Sequence, residues 1–164
     1  MSGVKIRDAV RVDLDGLSAL EARSFTSDRM SRRGLGRLIG RPSARLRVAA
    51  ERRADGDVVI LGYHLVLFRK NSAVARLYSI AVDRTMRGTG LGRRLLADAE
   101  AVAATARRTV IRLEVRPRNR AAIGLYKRRG YRAIGRYSRY YDDFSDALRY
   151  EKPLGRRSAV NRRK

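Results

Sequence analysis

The sequence predicts an α/β (α+β) fold, a mixed central sheet of about six to seven strands flanked by about four helices. Three observations lead there. Apolar residues switch repeatedly between a period near 2 and a period near 3.6 along the chain. The run VVILGYHLVLF, residues 58–68, is apolar on both faces of a strand, as in a sheet interior. No repeat or low-complexity linker divides the chain, and 164 residues with 44% hydrophobic content suit one domain with a real core.

Each element has its own signal. VKIRDAV reads as a short first strand. VDLDGLSALEARSF follows as a helix, with Leu14, Leu17, Leu20 and Phe25 near one face and Asp13 placed to cap it. MSRRGLGRLIG is a weaker helix that turns Leu35, Leu38 and Ile39 inward. Three strands come next, ARLRVAAE, DVVILGYHLVLFRK and VARLYSIAV, joined by the hairpin-type turns RRADG and KNS. The longest helix starts after the glycines of MRGTGLGRRLL, with Leu91, Leu95, Ala99, Val102 and Ala106 at helical spacing. TVIRLEV is a further strand, and NRAAIGLYKRRG is a short helix capped by Asn119 and ended by Gly130. YRAIGRYS and DALRYEKPL close the domain, read as residues 1–154. Residues 155–164, GRRSAVNRRK, have little to bury and read as a separate, disordered basic tail.

Composition narrows the chemistry. The chain has no cysteine and one histidine, His64, so disulfides, thiolate nucleophiles, zinc clusters and Ser-His-Asp triads are excluded. His64 falls in a central-strand pattern and reads as structural. Carboxylates, phenols, amines and backbone must do the work. No apolar run approaches the ~20 residues that span a bilayer, and the N-terminus carries no apolar signal segment, so a cytoplasmic protein without a membrane partner is expected. Thirty-nine Lys and Arg against 16 Asp and Glu give a formal net charge of +23. Such a field attracts polyanions, which makes RNA, the ribosome or a phosphorylated cofactor natural partners.

The glycines at 88, 90 and 92 follow a strand and open a helix. Alternating glycines expose backbone N–H groups, and a helix N-terminus adds unpaired amides and the positive end of its dipole. Together they describe an anion cradle. SRRGLGR at 31–37 has nearly the same letters, but no strand feeds it. Two familiar templates fail at the real stretch. A dinucleotide G-x-G-x-x-G starting at Gly88 needs glycine where Arg93 stands, and a P-loop needs G-K-[ST].

The pattern it does match is R-x-x-G-x-G/A, as Arg87-Gly88-Thr89-Gly90-Leu91-Gly92. With LYSIAV before it and RLEVRPRNRAAIGLYKRRGY after it, the chain resembles the GNAT acyl-CoA N-acetyltransferases over nearly its whole length apart from the tail. Within that family it is most similar to the bacterial ribosomal-protein-alanine N-acetyltransferases, in LEVR at 113–116, Asn119, AAIGLY at 121–126 and the closing RYYDDFSDAL. Two departures stand out, Arg84 where proline is frequent and Phe144 where glycine is common, the second bearing on the geometry of the peptide site.

The resemblance implies a GNAT fold, acetyl-CoA as acetyl donor with no metal, and a protein N-terminal amine as acceptor. It implies that backbone groups of Ile80, Ala81 and Val82 pair with the pantetheine arm and acetyl carbonyl, and that amides from Gly88 to Arg93 hold the pyrophosphate. Asn119 joins the cofactor side. Glu114 matches the subgroup's base and Tyr126 the acid for the departing thiolate, while Tyr140 and Tyr141 match peptide-site tyrosines. Asp142 and Asp143 are expected to supply local negative charge for a cationic amine. An ammonium has no lone pair, so a base must take its proton. A peptide α-amine (pKa ~8) gives it up about 2.4 units, or about 3.3 kcal/mol, more easily than lysine (~10.4).

Every candidate has a plainer reading. Glu114 can simply pair with an arginine, Tyr126 can be core, Asn119 is a good helix cap in any case, and Tyr140 and Tyr141 can be strand-edge aromatics. Their joint occurrence favours catalysis. Two alternatives stay open: a lysine or small-molecule amine acceptor, and a non-catalytic basic RNA-binding module on the same scaffold.

Overall fold

Seven strands pair in the order β1-β2-β3-β4-β5-β7-β6, and a computed structural model describes residues 3–155 of the chain. The strands are β1 (Val4–Asp8), β2 (Ala44–Arg52), β3 (Val58–Phe68), β4 (Val74–Val82), β5 (Val110–Val115), β6 (Arg132–Tyr137) and β7 (Ala147–Pro153). The helices are α1 (Leu14–Ser24), α2 (Arg32–Leu38), α3 (Leu91–Thr105) and α4 (Arg120–Arg128). The fold class and every predicted element agree with this architecture. The tail expectation, apart from Gly155, lies outside the described residues.

Helices pack on both faces. Leu14, Leu17 and Leu20 of α1 and Leu35 of α2 share a core with Val48, while the neighbouring Ala49 belongs to a cluster with Leu91 and Leu95 of α3. Successive residues of a strand point to opposite faces, so this split puts α1 and α2 on one side and α3 on the other. Burial of β3 from Ile60 to Val66 explains its unbroken apolar run. His64 lies fully buried there, its Nε2 2.7 Å from Asp98 Oδ2. No helix among the described residues is long and apolar enough to cross a membrane.

Two local expectations are corrected. Asp13 makes no side-chain cap bond to α1. A 3-10 turn at Arg11–Asp13 precedes the helix, so the buried carboxylate faces back, accepting the Val10 amide at 2.8 Å and both Arg7 terminal nitrogens at 2.7 and 2.9 Å. Ala106 is the exposed C-cap of α3, and Ala103 takes the buried place expected of it.

One irregularity positions everything that follows. Leu65 of β3 pairs with Ser79 and Val66 with Leu77, which leaves Tyr78 as an extra residue in β4. Such a bulge bends the strand that carries it. Among the described residues β4 and β5 are the one parallel pair, matched only from Val74↔Val110 to Leu77↔Leu113, although β4 runs on to Val82 and β5 to Val115. Beyond Leu77 the sheet opens.

Candidate active site

Two cavities occupy the opening. One, of about 490 Å³, is lined by Ile80, Ala81 and Val82 of β4, by Asp83–Thr85, Arg87 and Gly92, and by α4 residues including Leu125. The other, of about 590 Å³, lies among the end of α1, the loop after it, Arg76–Ile80, Glu114–Arg116, Tyr140 and Tyr141. Ser24, Phe25, Ile80, Asn119 and Tyr126 line both. Of the sequence-predicted residues, Ile80, Ala81, Val82, Arg87, Gly92, Glu114, Tyr140 and Tyr141 line one or both cavities, with Asn119 and Tyr126 at the junction.

The first cavity runs toward the glycine turn. Asp83 follows β4 and caps a 3-10 turn at Arg84–Met86, accepting from the Thr85 amide at 3.0 Å and hydroxyl at 2.7 Å, and pairing with Arg23 of α1 at 2.7 Å. Gly88 (φ +75) and Gly90 (φ +85) then take left-handed backbone that side chains rarely adopt. Gly90 is the N-cap of α3, and its carbonyl accepts the Arg94 amide at 3.1 Å. The amides of Leu91, Gly92 and Arg93 thus precede the helical ladder. An ideal Cβ on Gly88 meets nothing within 4 Å, so the space over this turn is open to a ligand. These features fit a pyrophosphate. Thr89 closes the turn instead, its amide and hydroxyl both donating to the Met86 carbonyl. Gly88, Thr89, Gly90, Leu91 and Arg93 adjoin the cavity rather than line it, the Leu91 side chain being core.

At the junction, Asn119 caps α4, its Oδ1 accepting the Ala122 amide at 3.2 Å. Tyr126 follows two turns later, only 5% exposed and tilted against Tyr131 with ring centroids 5.6 Å apart. Burial, and then proximity to Tyr141, pushes its phenol above the ordinary tyrosine value.

The second cavity holds Glu114 from β5, whose Oε2 accepts from Arg76 Nε at 3.2 Å. Arg76 Nη2 donates to the Tyr140 hydroxyl, so a cation bridges carboxylate and phenol. Tyr140 packs edge-on to Tyr141, centroids 4.9 Å apart. Burial raises both phenols, that of Tyr141 to about 12 despite the opposing pull of Arg116.

Sequence reasoning missed Glu21, Asp28, Arg76, Tyr78 and Arg116. Glu21 is 2% exposed; its carboxylate accepts from the Tyr63 hydroxyl and, at 2.8 Å, from the Met30 amide, which pins the loop after α1. Arg116 joins that loop to the β6–β7 loop. Its Nη1 donates to Asp143 (3.0 and 2.8 Å) and Ser145 (2.6 Å), and its Nη2 to Ser27 (2.9 Å) and Asp28 (2.6 Å). Its guanidinium also lies 3.9 Å over the Tyr141 ring. Helical periodicity at Glu21 and the LEVR motif at Arg116 were the available signals, but neither says which distant loops these residues meet.

The expectation for Asp142 and Asp143 is corrected. Asp143 pairs with Arg116, Asp142 offers its amide to Asp28, and neither lines the cavity. The carboxylates that do are Glu21, Asp28 and Glu114. Phe144, where glycine is common, takes left-handed backbone with φ +61 and a 74% exposed ring, a strain of roughly 1–2 kcal/mol for a bulky residue.

Comparison with known proteins gives the family. Residues 17–131 match the Acetyltransferase (GNAT) family. A 65-residue stretch is 42% identical to N-alpha-acetyltransferase RimI of Mycobacterium tuberculosis and 45% identical to an uncharacterized protein of Mycobacterium leprae, covering 40% of this chain in each case. Those matches span 39% and 17% of the relatives' own lengths. The crystal structure of the ribosomal-protein-S18-alanine N-acetyltransferase from Escherichia coli superimposes with a TM-score of 0.78 at 22% identity, covering 96% of this chain and 97% of that one. With the family match running from α1 past the end of α4, over the bulged strand, the glycine turn and the residues that meet behind them, the chain belongs to the Acetyltransferase (GNAT) family.

Proposed function

We propose that residues 1–154 form an acetyl-CoA-dependent N-acetyltransferase whose acceptor is a protein N-terminal α-amine, as the name of the RimI relative suggests. The observation that carries this reading is the meeting of two cavities at Tyr126 and Asn119, with Glu114 on the amine side and the glycine turn on the other. Acetyl-CoA, when bound, supplies a thioester that a neutral amine attacks. The amides of Gly88 and Gly90 through Arg93 would hold its pyrophosphate, with Arg87 alongside, and the open edge of Ile80, Ala81 and Val82 its pantetheine arm. Glu114 takes the proton of the acceptor ammonium. Tyr126 holds its own proton at Oη, in position to donate a hydrogen bond on the leaving-group side. Tyr140 and Tyr141 wall the acceptor path, where the lining carboxylates Glu21, Asp28 and Glu114 outnumber the lining arginines Arg76 and Arg116 inside a strongly basic protein. Association with the ribosome or RNA, in the cytoplasm, is consistent with the +23 charge.

A panel of peptides with free and blocked N-termini, with and without internal lysine, tests the acceptor. Transfer is expected on free α-amines alone. Equal acetylation of a blocked, lysine-containing peptide would move the reading to a lysine acceptor, and RNA binding without acetyl-CoA binding would move it to the non-catalytic module. Replacing Tyr140 and Tyr141 together by alanine should raise KM for the free peptide and spare acetyl-CoA affinity. The same split is expected of Arg116→Ala, which frees both loops: KM for the peptide up by roughly tenfold, donor affinity by calorimetry unchanged. An unaltered KM would show that the loops hold without it.

A further inference from the structure

Two arginines enter the amine-side cavity, and their bonding separates them. Arg116, with its face on Tyr141, commits both terminal nitrogens, to Asp143, Ser145, Ser27 and Asp28. Arg76, whose guanidinium lies 5.3 Å over the Tyr78 ring, does not. It spends Nε on Glu114 and one Nη2 hydrogen on Tyr140, and among the described residues its Nη1 makes no hydrogen bond. A guanidinium carries five N–H donors in a planar fork, so the rest of the fork is available to a ligand. The side chain is 37% exposed where it lines the cavity. Arg112, beside it in register on β5, is already paired with Glu151 at 2.6 Å. Of the two arginines that line the amine-side cavity, Arg76 is the one with a terminal nitrogen to spare.

Its position sets a condition on the acceptor. An amine reaching Glu114 arrives as an ammonium beside this guanidinium, and like charges at such range repel. An acceptor that brings its own carboxylate replaces the repulsion with a fork-to-carboxylate pair, the geometry arginine favours. A lysine or arginine in the same place adds a third cation. We propose that Arg76 is a specificity-determining residue that selects N-termini with an acidic side chain just after the α-amine and disfavours basic ones. This rests on the α-amine acetyltransferase reading above.

The test compares C-terminally amidated peptides that begin Ala-Asp, Ala-Asn and Ala-Lys and are otherwise identical, so that the second side chain alone varies. The wild-type protein is expected to give kcat/KM in the order Asp, Asn, Lys, with roughly tenfold between the ends, the scale of one charge-assisted contact at a partly exposed site. Arg76→Gln should collapse the order. Arg76→Lys, which keeps the charge without the fork, should retain part of it. Ratios within one variant cancel any general change that follows from releasing Glu114. Equal efficiencies in the wild type, or an order that survives Arg76→Gln, would overturn the inference while leaving the α-amine reading intact. If the wild type acetylated none of the three, the α-amine reading itself would fall and this inference with it.

Discussion

Gly90→Val should reduce acetyl-CoA affinity by more than tenfold while the far-ultraviolet circular dichroism keeps its mixed helix and strand signature. The reason is local. Gly90 has φ +85 and caps α3, so a β-branched residue there is strained by roughly 1–2 kcal/mol. The Cβ itself meets little of the protein, its nearest neighbour being the end of the Arg93 side chain at 3.9 Å. It occupies instead the space in front of the first-turn amides, where an anion has to approach. Calorimetric titration and thermal melting separate the two effects. A lower melting temperature with full affinity would mean that the turn is a structural cap only and that the pyrophosphate is held elsewhere.

That turn was legible because its signal is local: glycines at fixed spacing, a strand before and a helix after. The same holds for the Asn119 cap and for the helical spacing of Leu91, Leu95 and Ala99. Asp13 misled because a cap depends on the backbone of the preceding residues, and the 3-10 turn at Arg11–Asp13 leaves no sequence mark as strong as the carboxylate itself. The site's other half is non-local. Arg116 meets Ser27 and Asp28 from nearly ninety residues away, and Arg76 meets Tyr140 from 64 residues away. In a chain with 39 cations and 16 carboxylates, composition cannot say which few pair inside a cleft. The carboxylates assigned to the acceptor path show the consequence: the adjacent Asp142 and Asp143 caught the eye, whereas Glu21 and Asp28, brought in by folding, line it.

Removing the two proposed proton-handling groups should separate chemistry from binding. Glu114 and Tyr126 stand on different elements, β5 and α4, yet both line the amine-side cavity, and Tyr126 alone of the two also lines the donor side. Glu114→Gln keeps the shape of the side chain and a group that can face Arg76, but it cannot take a proton. A loss in kcat of ~10²-fold or more is expected, with acetyl-CoA affinity near wild type. Tyr126→Phe keeps the ring and its packing on Tyr131 and removes one O–H. Here the argument from acidity decides what the hydroxyl does. An ordinary phenol near ~10 is already a weaker acid than a thiol near ~8.5, about 2 kcal/mol uphill for complete transfer, and burial makes Tyr126 weaker still. Its contribution is therefore a hydrogen bond to charge that develops on the leaving side, a loss measured as kcat rather than as donor affinity. A pH–rate profile adds the sign. If Tyr126 only donates a hydrogen bond, the profile of Tyr126→Phe should keep the wild-type shape at a lower height, whereas loss of a basic limb in that variant would show that the phenol gives up its proton in turnover.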